Sequence, residues 1–272
     1  MVGNGAYRNA FLLSGMRNIP KAALAALEHL DRIAEKHRIE LIEFAFPYPY
    51  GKVEQLNDKV GRKVNEMMAK YRATVHLPMA PIHKPGGMLE VCAGIGYGLE
   101  HGARQFVVHP AEVEWKRFWQ KSTRFDFAEA QKNGLVNLKN ILEDYRNEDI
   151  TIGIENLAGP VPYGKTPTDF DYLFGKHGKL TAGLCFDTCH ATNSGLDPAF
   201  MLGKYLLSGH LVEVHLTDTK IFNGPDKHCA LGKGIVPLDA AWEVLGGFNG
   251  PVIVEIDNKD LATSWNWLMA DR

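Results

Sequence analysis

Residues Gly183 to Thr192 read GLCFDTCHAT. The apolar run Leu184, Cys185, Phe186 has the character of a buried strand and ends in Asp187; His190 follows, where the strand is expected to give way to a loop. A carboxylate at a strand tip and an imidazole just beyond it can both turn toward whatever sits above that tip. Alone, the pair is a weak signal, because Asp and His near strand ends commonly serve as turn and surface residues.

The pattern is repeated five times. Ala73-Thr74-Val75 runs into His76, Phe106-Val107-Val108 into His109, and Thr151 to Ile154 into Glu155, while Leu211 to Val214 runs into His215 and Pro251 to Val254 into Glu255. Successive tips lie 33, 46, 32, 28 and 40 residues apart, room for one strand and one crossover helix each time. Strand tips of a closed parallel barrel converge on one face, where active sites of that architecture are built. The expectation is an α/β fold, a (β/α)8 TIM barrel forming one domain over residues 1–272.

The remaining chain fills in the barrel. Asn9 to Leu13 is the expected first strand and Ile39 to Phe46 the second, with Leu24, Leu27, Leu30 and Ile33 at helical spacing between them. Helices are expected over Val53 to Lys70, Met88 to Gly102, Phe127 to Asn147, Asp169 to Lys176 with Thr166 or Thr168 as cap, Asp197 to Leu207, Pro237 to Leu245 and Leu261 to Met269. No linker or low-complexity stretch divides them.

Composition narrows the function classes. Thirty Lys and Arg against 32 Asp and Glu give a net charge of −2, so there is no global basic signature for nucleic acid. No apolar run approaches membrane-spanning length, and the N-terminus lacks the pattern of a signal peptide. Cys92, Cys185, Cys189 and Cys229 show neither disulfide nor CxxC spacing, which points to a reducing, cytoplasmic setting. Cys185 and Cys189 share the parity of Asp187 but read as small buried residues. No feature marks a membrane or protein partner.

Two loops add candidates. The segment AEVEWKRFWQKSTRFDF after His109 interleaves Trp115, Phe118 and Trp119 with basic residues, which suits nucleic-acid contacts or a cap on the barrel in equal measure. After His215 comes GPDKH with LGKG beyond it, in which Asp226 and His228 project the same way in extended chain; with His190 they make a third set of metal-capable side chains.

The motifs VHLPM, FVVHP, IENLAG, CFDTCHA, VHLTDTK, DKHxxLGKG and VIVEID together resemble endonuclease IV, the apurinic/apyrimidinic endonuclease family 2 of the xylose-isomerase-like barrels. The resemblance implies a trinuclear site at the C-terminal face of the strands. One metal would be held by His76, His109 and Glu155, a second by Glu155, Asp187, His215 and Glu255, and a third by His190, Asp226 and His228. Three Zn2+ per chain are implied, with Mn2+ or Fe possible at some positions. The implied activity is hydrolysis of the DNA backbone 5′ to abasic sites in base-excision repair, with Glu155 as the bridging catalytic residue. Four ligand carboxylates against three divalent ions leave a charge of +2, which draws in a phosphodiester. The family's bulky wedge after the His76 position is replaced here by Leu77-Pro78-Met79-Ala80, so Tyr48, Tyr50, Trp115 and Trp119 are the residues expected to contact abasic DNA.

A second function fits part of the same set. A sugar isomerase or epimerase on this barrel uses a single divalent metal, which Glu155, Asp187, His215 and Glu255 would hold with the two glutamates as acid and base. That core keeps a charge of −1, suited to a neutral sugar, but gives His76, His109, His190, Asp226 and His228 no common task. A barrel that binds metal or nucleic acid without turnover is the third class.

Overall fold

Alternating inward and outward side chains on each short strand decide where everything else sits. A computed structural model describes residues 19–45, 58–110, 127–159, 161, 163–175, 182–222, 227–256 and 260–270. In chain order its elements are α1 (Ile19–His37), β1 (Leu41–Ala45), α2 (Asp58–Lys70), β2 (Arg72–His76), α3 (Pro85–Glu100), β3 (Gln105–Val108) and α4 (Phe127–Asp144). There follow β4 (Thr151–Glu155), α5 (Pro167–Gly175), β5 (Ala182–Asp187), α6 (Thr188–Asn193), α7 (Pro198–Ser208) and β6 (Leu211–His215). The chain continues through β7 (Asp218–Thr219), β8 (His228–Cys229), α8 (Leu238–Leu245), β9 (Val252–Ile253) and α9 (Leu261–Leu268).

Seven strands pair in the order β1-β2-β3-β4-β5-β6-β9, all parallel, while β7 and β8 form a small antiparallel ribbon. The sheet curls into a nearly closed barrel: Leu41 of β1 and Ile253 of β9, at its two edges, form a small buried cluster. This is the expected single-domain TIM-like barrel, with seven barrel strands among the described residues rather than eight. The strand expected over Asn9–Leu13 lies outside the described residues, as do Tyr48, Tyr50, Trp115, Trp119 and Asp226.

The main core lies between strands and helices. Phe44, Phe106, Ile154, Leu184, Phe186 and Val214 point outward and join the inner faces of the helices in one cluster. From the expected stripe of α1, Leu27 and Leu30 are fully buried, while Leu24 and Ile33 are partly buried against the same core. Phe106 seats against Gly98 of α3, where an added Cβ would lie 2.5 Å from its ring. Local chemistry starts the helices where expected: Asp197 caps α7 through Ala199 and Phe200 N–H, and Thr166, not Thr168, exchanges capping hydrogen bonds with Asp169 ahead of α5. Asp31 joins α1 to α2 by accepting from Lys63 at 2.6 Å, Lys70 at 2.8 Å and Tyr71 at 2.6 Å.

Candidate metal centre

Register delivers the polar tips to one rim. His76 pairs with Val107, Glu155 with Cys185 and His215 with Ile253, so on the next strand the ligand-type residue His109, Asp187 or Glu255 comes two positions further on, a stagger that carries the polar tips around the mouth. Between β5 and β6 the register shifts: Leu184 pairs with Leu211 but Cys185 with Glu213. The extra residue, Val212, is what lets Asp187 pair with His215 instead of Val214. Gly183 makes this possible, since a Cβ there would lie 2.2 Å from Val212 Cγ1 and 2.6 Å from the His210 carbonyl oxygen.

Asp187 does not lead into a loop, which corrects the expectation for His190. Its Oδ1 accepts the His190 backbone N–H at 2.6 Å, and this cap starts the short helix α6 directly at the strand tip. His190 therefore sits on a helix, with Nδ1 2.7 Å from the Asn156 carbonyl oxygen. Asn156 also pairs with the Asp187 backbone in both directions, accepting its N–H at 2.7 Å and donating to its C=O at 3.0 Å. Thr217 donates to Asp187 Oδ2 at 3.0 Å and accepts the Cys189 N–H at 3.1 Å, tying the β5 and β6 tips together.

Glu155 occupies the centre. His76 Nε2 lies 3.0 Å and His109 Nε2 2.8 Å from its Oε2, while His190 Nδ1 and His215 Nδ1 each lie 3.3 Å from its Oε1. Burial alone would raise its pKa, but His109 and His215 outweigh that and hold it well below the usual carboxylate range. Asp187 moves the other way: burial raises its pKa, the nearby Glu155 and Glu255 add to the rise, and His190 and His228 only partly offset it. His228 donates Nδ1–H to the Glu255 carbonyl oxygen, 2.9 Å away, with Nε2 3.8 Å from Asp187 Oδ2.

Two metal-capable sets meet at Glu155. Its ligand atoms lie within 4.8 Å of those of His76 and His109 on one side, and of Asp187, His215 and Glu255 on the other. These are two of the three expected groups. Of the third, His190 and His228 have ring centroids 5.6 Å apart, and Asp226 lies outside the described residues. His228 forms a compact set instead with Asp187 and Cys189, a sulfur the sequence reading assigned to packing. The donor chemistry fits a divalent cation: Glu155, Asp187 and Glu255 are fully buried side by side, and a bound cation offsets the repulsion of three such carboxylates.

Several contributors were not anticipated. Glu43 of β1 and Glu213 of β6 are fully buried inside the barrel, and with His215 they make another set of ligand atoms within 4.8 Å. Burial, then the adjacent Glu43, push the Glu213 pKa well above the usual range. Asp218 holds the LGKG loop, accepting from Gly234 N–H at 2.7 Å and Val236 N–H at 3.1 Å. A Cβ on Gly234 would lie 2.2 Å from Asp218 Oδ1, so that glycine shapes the loop that follows β8 and its His228. The signal for Glu43 and Glu213 was present: each is a charge at an inward position of an otherwise apolar strand, and Glu213 shares the parity of His215. Three histidines outside the rim pack on aromatic rings, His37 on Trp265, His101 on Tyr97 and His210 on Phe174.

The profile of the xylose isomerase-like TIM barrel family matches residues 87–270. Among solved structures, a D-tagatose 3-epimerase-like protein is similar with a TM-score of 0.73 at 21% identity, over 98% of this chain and 96% of that one. D-allulose 3-epimerase from Methylomonas sp., in complex with D-allulose, gives 0.64 at 14% identity over 97% of this chain and 89% of that one. A structure of the IOLI protein with a zinc atom bound gives 0.69 at 17% identity, over 96% and 95% of the two chains. At these identities the likeness is one of fold. Among the described residues no helix is long and apolar enough to cross a membrane.

Proposed function

The chain belongs to the xylose isomerase-like TIM barrel family, and on that premise we propose that it is a metal-dependent isomerase or epimerase of small polyhydroxylated carbonyl compounds. One observation carries the reading: the ligand atoms of Glu155, Asp187 and His215, from three neighbouring strands, and of Glu255, just past β9, lie within 4.8 Å of one another at the barrel mouth. A divalent ion there supplies Lewis-acid polarisation of a carbonyl and its neighbouring hydroxyl. Glu155, held as a carboxylate by its histidines, serves as base toward the proton on the carbon beside that carbonyl. Glu255, reaching the same set from beyond β9, returns a proton as acid. His76 and His109 hold Glu155 Oε2 in place. With Glu255 carrying the proton it returns, the two remaining carboxylates balance one divalent ion, which suits a neutral sugar. The sugars named with the structural neighbours set the first substrates to try.

The test is exchange with solvent. The Mn2+- or Zn2+-loaded protein, incubated in D2O with a ketose panel that includes D-tagatose and D-allulose, is expected to place deuterium at the carbon it inverts, read by proton NMR. No deuterium in any sugar overturns the reading.

A specific observation favours a second reading. His76, His109 and Glu155 form their own compact set sharing Glu155, which suits a multinuclear phosphodiesterase of the endonuclease IV type acting on abasic DNA. Nicking of an abasic-site duplex by protein that leaves sugars unexchanged would establish it.

A further inference from the structure

Beneath the rim, the barrel interior holds a polar chain that neither reading uses. His215 reaches the metal set through Nδ1, 3.3 Å from Glu155 Oε1 and 3.2 Å from Glu255 Oε2. Its other nitrogen points down, Nε2 lying 3.2 Å from Glu43 Oε2 and 3.9 Å from Glu213 Oε1. Glu213 Oε2 accepts from Gln105 Nε2 at 2.6 Å, and the same amide donates to the carbonyl oxygen of Val212, the bulged residue, at 3.1 Å. Three strands on different sides of the barrel, β1, β3 and β6, are thus joined under one imidazole.

Two acidic side chains buried together in a barrel interior are costly unless they are partnered. Glu43 Oε2 and Glu213 Oε1 both face the His215 ring, and Gln105 occupies the other oxygen of Glu213. What the arrangement fixes is the ring above it. A carboxylate accepting Nε2–H sets the tautomer and tilt of the imidazole, leaves Nδ1 as the nitrogen that faces the metal set, and raises its basicity.

We infer that Glu43 is a positioning residue for the metal centre, orienting His215 from inside the barrel, and that Glu213 and Gln105 form the brace behind it. The inference rests on the proposed metal set at the rim. Glu43 does not touch substrate; it acts through His215. Gln105 also ties this brace to the bulge that brings His215 alongside Asp187, so one side chain secures both the register and the tilt of the ring.

Glu43→Leu keeps the volume and removes the acceptor. Metal affinity is measured by chelator competition with Zn2+ on wild type, Glu43→Leu and Gln105→Leu, with circular dichroism and melting of the metal-free proteins as control for folding. Glu43→Leu is expected to lose about 10- to 100-fold in affinity and Gln105→Leu less, with Glu43→Gln, which keeps an acceptor oxygen, recovering part of the loss. In the zinc-loaded, 15N-histidine-labelled protein a protected His215 Nε2–H resonance is expected in wild type and absent in Glu43→Leu. Unchanged affinity together with an unchanged Nε2–H in folded Glu43→Leu overturns the inference while leaving the metal site standing. If Glu43→Leu fails to fold, Gln105→Leu and Glu43→Gln decide, and wild-type affinity in both overturns it. A wild type that binds no divalent ion overturns the proposed function, and this inference with it.

Discussion

The two faces of the same barrel strands differ more than any two elements of the molecule. Facing outward, Phe44, Phe106, Ile154 and Phe186 enter one apolar core with the helices. Facing inward, Glu43, Glu155, Asp187, Glu213, His215 and Glu255 are equally buried, and Leu41 of β1 with Ile253 of β9 form only a small apolar cluster. The same period-two alternation thus builds stability on one side and a concentration of charge on the other. Changes on the outward face should alter folding and leave chemistry intact; changes on the inward face should do the reverse.

The sharpest way to break that division is Glu155→Gln, which removes the carboxylate shared by both metal-capable sets. Turnover in the solvent-exchange assay is expected to fall about 10²- to 10⁴-fold, alongside loss of bound metal, and near wild-type exchange would contradict the role given to Glu155. Phe106→Ala tests the opposite face. It should cost about 3–5 kcal/mol in urea unfolding, with turnover per folded molecule kept within about twofold. A collapse of turnover in protein that remains folded would mean the faces are not independent.

Smaller effects sharpen the comparison. Asn156→Ala removes the side chain that holds the Asp187 backbone in both directions, so about 1–3 kcal/mol of stability should go together with weaker metal binding, while the backbone carbonyl that meets the His190 ring is kept. Intact metal affinity in that variant would assign Asn156 to folding alone. Far from the rim, Asp31 has its carboxyl held well below the usual range, since Lys63, Lys70 and Tyr71 outweigh the effect of burial. A lowered native pKa gives a stabilisation that is complete above the unfolded value near about 3.9 and is lost as pH falls through the native one. Asp31→Asn should therefore cost about 1 kcal/mol at pH 7, a difference from wild type that shrinks only below about pH 4. A difference that shrinks between pH 8 and 6 would contradict the assignment.

How much was legible follows from the same contrast. Strand tips ending in His76, His109, Glu155, Asp187, His215 and Glu255 are visible because a polar residue closing a short apolar run stands out, and the structure brings them to one rim. Glu43 and Glu213, both fully buried, are hard to read from sequence because a glutamate inside a strand looks like a solvated face until the closure of the barrel is known. His190 reads as a loop residue while Asp187 counts only as a ligand; Asp187 is also the cap of α6. The bulge at Val212 has no sequence mark beyond Gly183, whose missing side chain makes room for it. The resemblance to endonuclease IV led to the right family and weighted phosphodiester chemistry above the sugar chemistry to which several structural neighbours owe their names.

The most direct measurement is metal stoichiometry, by elemental analysis of wild type and of Glu155→Gln after reconstitution and removal of excess ion. One divalent ion per chain in wild type and none retained in Glu155→Gln is the result this account predicts. No bound ion in reconstituted wild type would contradict it, and three per chain would displace the sugar reading in favour of phosphodiester hydrolysis.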